Sequence, residues 1–456
     1  MDVVILARIQ FAMTIAFHYL FPPLSIGLSL MIVIMEGLYI KTKKPLYRRM
    51  TQFWMRIFAV SFALGVATGI VMSFSFGTNW ARYSRFVGDV FGSALAAEGV
   101  FAFFLEAGFI GLMLFGWDRV KPGIHYFSTI MVSLGAHFSA VWIVIANSWM
   151  QTPAGFKIVG EGLDAKAIIT DFWAMVFNPS SMDRLFHVIM GCWLTGSFII
   201  ISVAAYYIAK RRHLDFSRAT MKIGLITGMI TLLLQLYSGD QTARGVAKNQ
   251  PEKLATLEGV FKTVEYTPFY LFGWVDRAKQ KVYGVSIPAG LSFLVYHKLK
   301  PAVPGLDNFP EKDWPNVAAV FQTYHLMIMM WGAMFLLATL GIFYWRRGTL
   351  WNAKWTLRAM VISILAPYIA NQAGWFTAEM GRQPWIVYHL LRTADGVSKS
   401  VAGNQILGSI LMFIVIYSFL FSLFIYLMDH KIKHGPDEED VDDKLYSKPA
   451  FDGGNS

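Results

Sequence analysis

Long apolar runs alternate with short polar stretches along the chain, and several runs carry no Asp, Glu, Lys or Arg over about 20 residues. A run of that length crosses ~30 Å of hydrocarbon at 1.5 Å per residue. Nine candidate spans follow, near residues 12–35, 57–79, 92–116, 125–149, 185–209, 219–239, 317–345, 359–378 and 403–428. The expectation is an all-α, polytopic membrane protein of about nine transmembrane helices. No internal repeat and no low-complexity segment interrupts the pattern. Gly65 and Gly69 form a GxxxG on the second span, which predicts a face where two helices pack closely.

The polar stretches carry direction. Lys41, Lys43, Lys44, Arg48 and Arg49 fill the first loop, and Arg119 and Lys121 lie in the third. Lys210, Arg211, Arg212 and Arg218 fill the fifth, and Arg346, Arg347, Lys354 and Arg358 the seventh. All four loops fall on one side, which the positive-inside rule makes cytoplasmic. The N-terminus is then outside and the C-terminus cytoplasmic. Four segments result: helices one to six over 1–239, an extracytoplasmic loop over 240–316, helices seven to nine over 317–430, and a disordered acidic cytoplasmic tail over 431–456. The loop is proline-rich, yet Phe261, Tyr266, Phe269, Tyr270, Phe272 and Trp274 favour an ordered unit.

Composition narrows the class. Hydrophobic residues make up 55% and charged ones 15%, where a soluble chain is about a quarter charged. The net charge of +11 sits in the loops that set topology, so no nucleic-acid partner is expected. Cys192 is the single cysteine, which excludes an internal disulfide, a thiolate metal cluster and covalent haem attachment. The first apolar run is too long for a signal-peptide core, so no cleavable signal is expected.

Ionisable groups at membrane depth cost roughly 2.5–3.5 kcal/mol at mid-span, so those present need a reason. They are His18, Glu98, Glu106, His137, His187, His325 and Glu379, with Met327 as a further soft ligand. With the N-terminus outside, His18, His187, Met327, Glu98 and Glu379 all fall in the outer half of the membrane, from five different helices. Each alone has a plainer reading, as a helix–helix hydrogen bonder or core filler; the convergence is what points to metal or haem ligation. Pro22 cannot donate to the carbonyl of His18, which predicts a kink there with room for a bulky group. Glu98 and Glu106 are about 12 Å apart along a helix and ~80° around it. A file of carboxyls running inward suits proton delivery.

These residues sit in stretches that resemble subunit I of the cytochrome bd quinol oxidases over nearly the whole chain. The stretches are RIQFAMTIAFHYLFPPL, FALGVATGIVMSFSFGTNW, AAEGVFAFFLEAGFIGLMLFGWDR, AVWIVIANSWMQ, KLATLE and AGWFTAEMGRQPW. The resemblance implies His187 and Met327 as axial ligands of a low-spin haem b. It implies His18, Glu98 and Glu379 as holders of two high-spin haems, a haem b and a haem d (or a further haem b). Trp375 and Arg382 would lie beside these haems, with Arg382 on a propionate. Glu106 would belong to the proton path, with Ser139 as its neighbour. Lys253 and Glu258 would be the quinol pair, in the outer loop and away from the ligands. The outer loop is of the short form, and His325 stands where other members have Arg.

The implied activity is quinol:oxygen oxidoreduction in the bacterial cytoplasmic (inner) membrane, electrogenic without a pump. Ubiquinol or menaquinol, O2 and membrane lipid are the implied small partners. A second helix-rich subunit and a small single-span one are the implied protein partners. Two rivals lose. A secondary transporter predicts paired half-repeats with broken helices. A haem-copper or bc-type cytochrome needs histidine pairs that His125 and His137, 12 apart, do not make.

Overall fold

The computed structural model describes residues 2–436, which are overwhelmingly helical. The tail expected over 431–456 lies outside the described residues from 437 onward, and its first residues complete the last helix. In chain order the helices are α1 (Val3–His18), α2 (Pro22–Thr42), α3 (Pro45–Thr78), α4 (Ala81–Phe86) and α5 (Gly88–Glu98). They continue as α6 (Phe104–Phe115), α7 (Pro122–Gln151), α8 (Phe172–Val176), α9 (Ser181–Ala209), α10 (Leu214–Asn249) and α11 (Pro251–Glu258). The last six are α12 (Gly290–Tyr296), α13 (Val317–Arg346), α14 (Lys354–Ile362), α15 (Leu365–Met380), α16 (Thr393–Gly396) and α17 (Gly403–His434).

Seven helical segments of the described chain are long and apolar enough to cross a membrane, and α1 and α2 together count as one of them. The expected third and eighth spans are the interrupted ones. A π-helical turn, Gly99–Phe103, separates α5 from α6, and Ser363–Ile364 separates α14 from α15. The break at Pro22 is sharper than a kink. α1 stops at His18, and Pro22 and Pro23 open α2 in the first positions, where a missing N–H leaves no bond unmade.

The GxxxG on α3 does not do what its spacing suggests. A Cβ on Gly65 would meet only Phe21, at 3.4 Å, and one on Gly69 would meet the His18 ring at 3.3 Å. These glycines seat side chains rather than a second backbone. The close backbone crossing is elsewhere: a Cβ on Gly27 of α2 would lie 2.1 Å from Cys192 O of α9, and one on Gly196 2.3 Å from Gly27 O. Around that crossing Phe21, Leu24, Leu28, Trp54, Phe58, Phe216 and Tyr207 form the largest apolar core.

The long loop after the sixth span is ordered, as its aromatics suggest. α10 carries straight on past residue 240 to Asn249 before the chain turns into α11. Strands β3 (Phe269–Asp276) and β4 (Lys281–Ile287) follow two short strands, β1 (Phe156–Val159) and β2 (Lys166–Ile169), and form an antiparallel hairpin. Leu254, Val260, Phe261, Val275, Val282, Leu306 and Phe321 bury together, fastening the loop onto α11 and the start of α13. The α2–α9 crossing sets a test. Gly27→Val should abolish the yield of folded, haem-loaded protein in detergent, since backbone atoms cannot yield as side chains do in overpacked cores that cost about 1–3 kcal/mol. Gly65→Ala, with only the Phe21 side chain at contact distance, should express like the parent.

Candidate functional site

Hydrogen-bond accounting separates the histidines. His18 Nδ1 lies 2.9 Å from Thr68 Oγ1, and that hydroxyl donates its own proton to Leu64 O at 2.8 Å. Thr68 can therefore only accept from His18, so Nδ1 carries the proton and Nε2 keeps a lone pair. His187 repeats the arrangement. Its Nδ1 lies 3.0 Å from Ser238 Oγ, which donates to Gln235 O at 3.0 Å. The Gln235 side-chain amide nitrogen lies 3.0 Å from Nε2 and 3.1 Å from Nδ1. At His18 a hydroxyl whose proton is already committed to its own helix fixes the ring in the tautomer an Nε2 ligand needs, and at His187 Ser238 favours the same tautomer.

The other intramembrane histidines have no nitrogen to spare. His137 donates from Nδ1 to Ser133 O at 2.7 Å and accepts Trp193 Nε1–H at Nε2, at 2.9 Å. It is the plain interhelical bonder. His325 faces carbonyl oxygens on both sides, Phe321 O and Tyr270 O, each at 2.8 Å. It ties α13 to β3.

Helix α15 is the hub for the surroundings of His18, His187, Met327 and Glu379, whereas Glu98 bonds Ser139 of α7. Asn371 bonds Gly191 O and Thr195 Oγ1 on α9, one turn beyond His187. Gln372 donates 2.7 Å to Ala16 O, two residues before His18. A Cβ on Gly374 would touch Met327 Sδ at 2.9 Å, so the glycine makes a seat for the thioether beside Trp375. One turn past Met327, Trp331 donates to Leu232 O of α10, which brings α13 to the helix that carries Gln235 and Ser238.

At the end of α15 the carboxylate of Glu379 is held by Asn147 at 3.0 Å and by an ion pair with Arg382. Asn147 is itself oriented by Arg184, 2.6 Å from its carbonyl. Arg382 is buried, and its Nε and Nη1 have no hydrogen-bond partner. Buried donors left open in a cluster rich in positive charge call for an anionic partner. The Nε2 lone pair of His18, that of His187 held only by the Gln235 side chain, the seats at Gly69 and Gly374 and the unpaired guanidinium donors all fit haem, with its iron and its propionates. Among the described residues no three His, Cys, Asp or Glu side chains gather as around a bare metal ion.

Two expectations need correcting. Lys253 does not stand away from the ligands. It is buried, and its ammonium donates to Gln151 Oε1 and Ala378 O, both at 2.9 Å. Its Cε would meet a Cβ on Gly381 at 3.1 Å, so the lysine packs directly against the Glu379–Arg382 turn. Burial, with Arg184 and Arg382 nearby, pushes its pKa well below the ordinary lysine range. Glu258 does not share Lys253's side of α11. Five residues on, it turns to α13 and bonds Tyr324, with Oε2 unpartnered. Burial pushes its pKa up to about 8, and the Tyr324 bond only partly offsets this. Ser139 is the second correction, since it donates 2.6 Å to Glu98 rather than to Glu106. Glu106 instead lies in a slot opposite Gly135, where a Cβ would sit 2.4 Å from its Cγ. A wide π turn advances less per residue than an α turn, so the intervening segment draws Glu98 and Glu106 closer to one face than ~80°.

Arg184, Asn147, Gln151, Thr68 and Ser238 were missed as site residues. Asn147 and Gln151 lie in AVWIVIANSWMQ, and Arg184 precedes His187 by three residues. Beyond the cluster, a cavity of about 460 Å³ opens at Arg8, Trp314, Met380, Gln383 and Arg392, and neither Lys253 nor Glu258 lines it.

Residues 6–436 match the family described as cytochrome bd terminal oxidase subunit I. Cytochrome bd ubiquinol oxidase subunit 1 of Bacillus subtilis (strain 168) is 39% identical over 99% of this chain and 98% of its own. Cytochrome bd-II ubiquinol oxidase subunit 1 of Escherichia coli (strain K12) is 33% identical over 95% and 97%. The solved bd oxidase from Geobacillus thermodenitrificans superposes with a TM-score of 0.88 at 28% identity, covering 95% of this chain and 99% of that one. Fold, site and sequence together place this chain in the cytochrome bd terminal oxidase subunit I family.

Proposed function

We propose that this chain is the haem-carrying subunit of a respiratory oxidase in the bacterial cytoplasmic membrane. It oxidises membrane quinol at the outer face and reduces O2 to water with protons from the cytoplasm. The hydrogen bonding of His18 and His187 supports the ligand assignment, because each ring faces a hydroxyl acceptor at Nδ1; Nε2 of His18 keeps its lone pair, and Nε2 of His187 faces the Gln235 side-chain amide, which iron would displace. His187 and Met327 hold a low-spin haem b. His18, Glu98 and Glu379 hold the two high-spin haems, with Trp375 alongside and Arg382 on a propionate. When bound, these haems (b, b, and d or a third b) supply the electron relay and the iron at which oxygen reacts.

The residues of the chain position, charge and protonate. Arg184 orients Asn147, and Asn147 orients Glu379. Lys253, anchored on Gln151 and Ala378 O, links the outer loop to the Glu379 turn and places a cation beside an arriving quinol oxygen. Glu258 accepts the quinol hydroxyl proton and releases it outside. Glu106, deeper along the bundle, passes cytoplasmic protons towards Glu98. The partners are a second helix-rich subunit, a small single-span subunit, and ubiquinol or menaquinol.

Three outcomes test this. His187→Ala and Met327→Leu should each remove the low-spin haem signal from the reduced spectrum together with quinol oxidase activity; a normal signal in either variant removes that ligand. For Glu258, the base form predominates above its pKa, so kcat/KM for quinol should climb as pH rises through about 8. Glu258→Gln should flatten that limb and lower the rate by about 10²-fold, with haem content intact. Lost haem with unchanged quinol kinetics would refute the base role. Glu98→Ala should disturb or empty a high-spin site, whereas Glu106→Gln should keep every haem and slow the oxygen reaction at a proton-coupled step. The check is haem content and single-turnover oxygen kinetics side by side; a Glu106→Gln enzyme at the parent rate would end the proton-path reading.

A further inference from the structure

Among the described residues, the bundle buries an ionisable pair that the reading above leaves unused. Glu36 of α2 and His125 of α7 meet at 2.6 Å, each side chain 1% exposed. Both lie within two turns of the basic ends of their helices, beside Lys41 and Lys121. Met113 O, which can only accept, stands 3.0 Å from His125 Nε2, so that nitrogen carries a proton. The short contact between Nδ1 and Glu36 Oε1 then holds one further proton, shared between imidazole and carboxylate. Thr129 donates to the second carboxylate oxygen at 2.6 Å.

Towards the basic side the pair is covered by a stack of side chains. The Trp117 ring lies 4.0 Å from the His125 ring, and the Arg48 guanidinium sits 5.4 Å over Trp117. Arg48 in turn bonds Asp118, whose side chain is 71% exposed. Inward from the pair, α7 presents a polar group at nearly every turn. Thr129 touches Glu36, Ser133 meets Ser29 of α2 at 3.0 Å, Gly135 opens the slot for Glu106, and Ser139 donates to Glu98. From His125 to Ser139 the rise is about 21 Å. The steps between these groups are about one helical turn, a span that a single water bridges.

We propose that Glu36 and His125 form the cytoplasmic proton-loading site that supplies Glu106. The pair takes a proton from the basic face past Trp117 and Asp118, and gives one to the Thr129–Ser133–Ser29 file that leads to Glu106. No net charge accumulates, because each proton released is replaced from the cytoplasm. This rests on Glu106 being the proton-path carboxylate.

The test is a single turnover of the fully reduced, haem-loaded oxidase with O2, with a pH-indicating dye reporting proton uptake from bulk water. Glu36→Gln preserves the shape and the hydrogen bonds but cannot exchange the proton. The expected result is a parental haem spectrum with uptake slowed at least about tenfold. Uptake at the parent rate overturns the proposal. Glu106→Gln, run alongside, tells the two failures apart. If it is slow while Glu36→Gln is not, the path stands and the loading site is wrong; if both run at the parent rate, the path fails too. Should Glu36→Gln not assemble its haems, His125→Gln is measured in the same way, and loss of haem in both marks the pair as structural and overturns the proposal.

Discussion

A histidine in a bilayer has two nitrogens and no water, so each nitrogen must find its partner within the protein. Which partners it finds determines what it can do. A carbonyl can only accept, and a hydroxyl already donating to its own helix can only accept, so either one draws the ring proton onto the nitrogen it faces. At His18 and His187 a hydroxyl acceptor stands at Nδ1 and the lone pair falls on Nε2, where at His187 it faces the Gln235 side-chain amide. At His137 and His325 both nitrogens are engaged by protein. The proposed haem sites depend on this difference, since iron needs a lone pair that is open, as at His18, or held only by a side chain that can swing away, as Gln235 can at His187.

The same rule governs charge. Three cations, Arg184, Lys253 and Arg382, surround the single carboxylate of Glu379 in a buried setting. Such an excess is costly unless further negative charge arrives. In the proposed function haem propionates would supply that charge, and Arg382 has unpartnered donors for it. Lys253 belongs to both the loop and this cluster. The loop and the Glu379 turn are therefore mechanically joined through one side chain, Gln151 and the Ala378 carbonyl.

Much of this was legible in the sequence, and for a physical reason. Apolar run length reports membrane spans, and loop charge reports their direction, so the depth of each polar residue follows by counting. That is how His18, His187, Met327 and Glu379 could be placed together before any coordinates, and α15 does gather contacts from all four of their surroundings. What stayed hidden depends on how neighbouring helices are rotated, which periodicity does not carry. Thr68 and Ser238 are ordinary hydroxyls until the facing helix sets a ring against them. The GxxxG of α3 had the spacing of a backbone contact but seats the His18 ring, whereas Gly27 and Gly196, on separate helices, make the true crossing. The π turn after Glu98 left no readable mark beyond Gly99. Lys253 reads as a solvated loop lysine until α10 is seen to run on to Asn249 and fold the loop back onto the bundle.

The account stands on which imidazole nitrogen is free, and that is directly measurable. Oxidase prepared with histidine carrying ¹⁵N at Nε2 only, or at Nδ1 only, can be compared by pulsed electron–nuclear double resonance on its ferric haems. The account predicts strong iron coupling from the Nε2 label, with Nδ1 seen only as a weakly coupled, protonated remote nitrogen. Strong coupling from Nδ1, or from no histidine nitrogen at all, would contradict it.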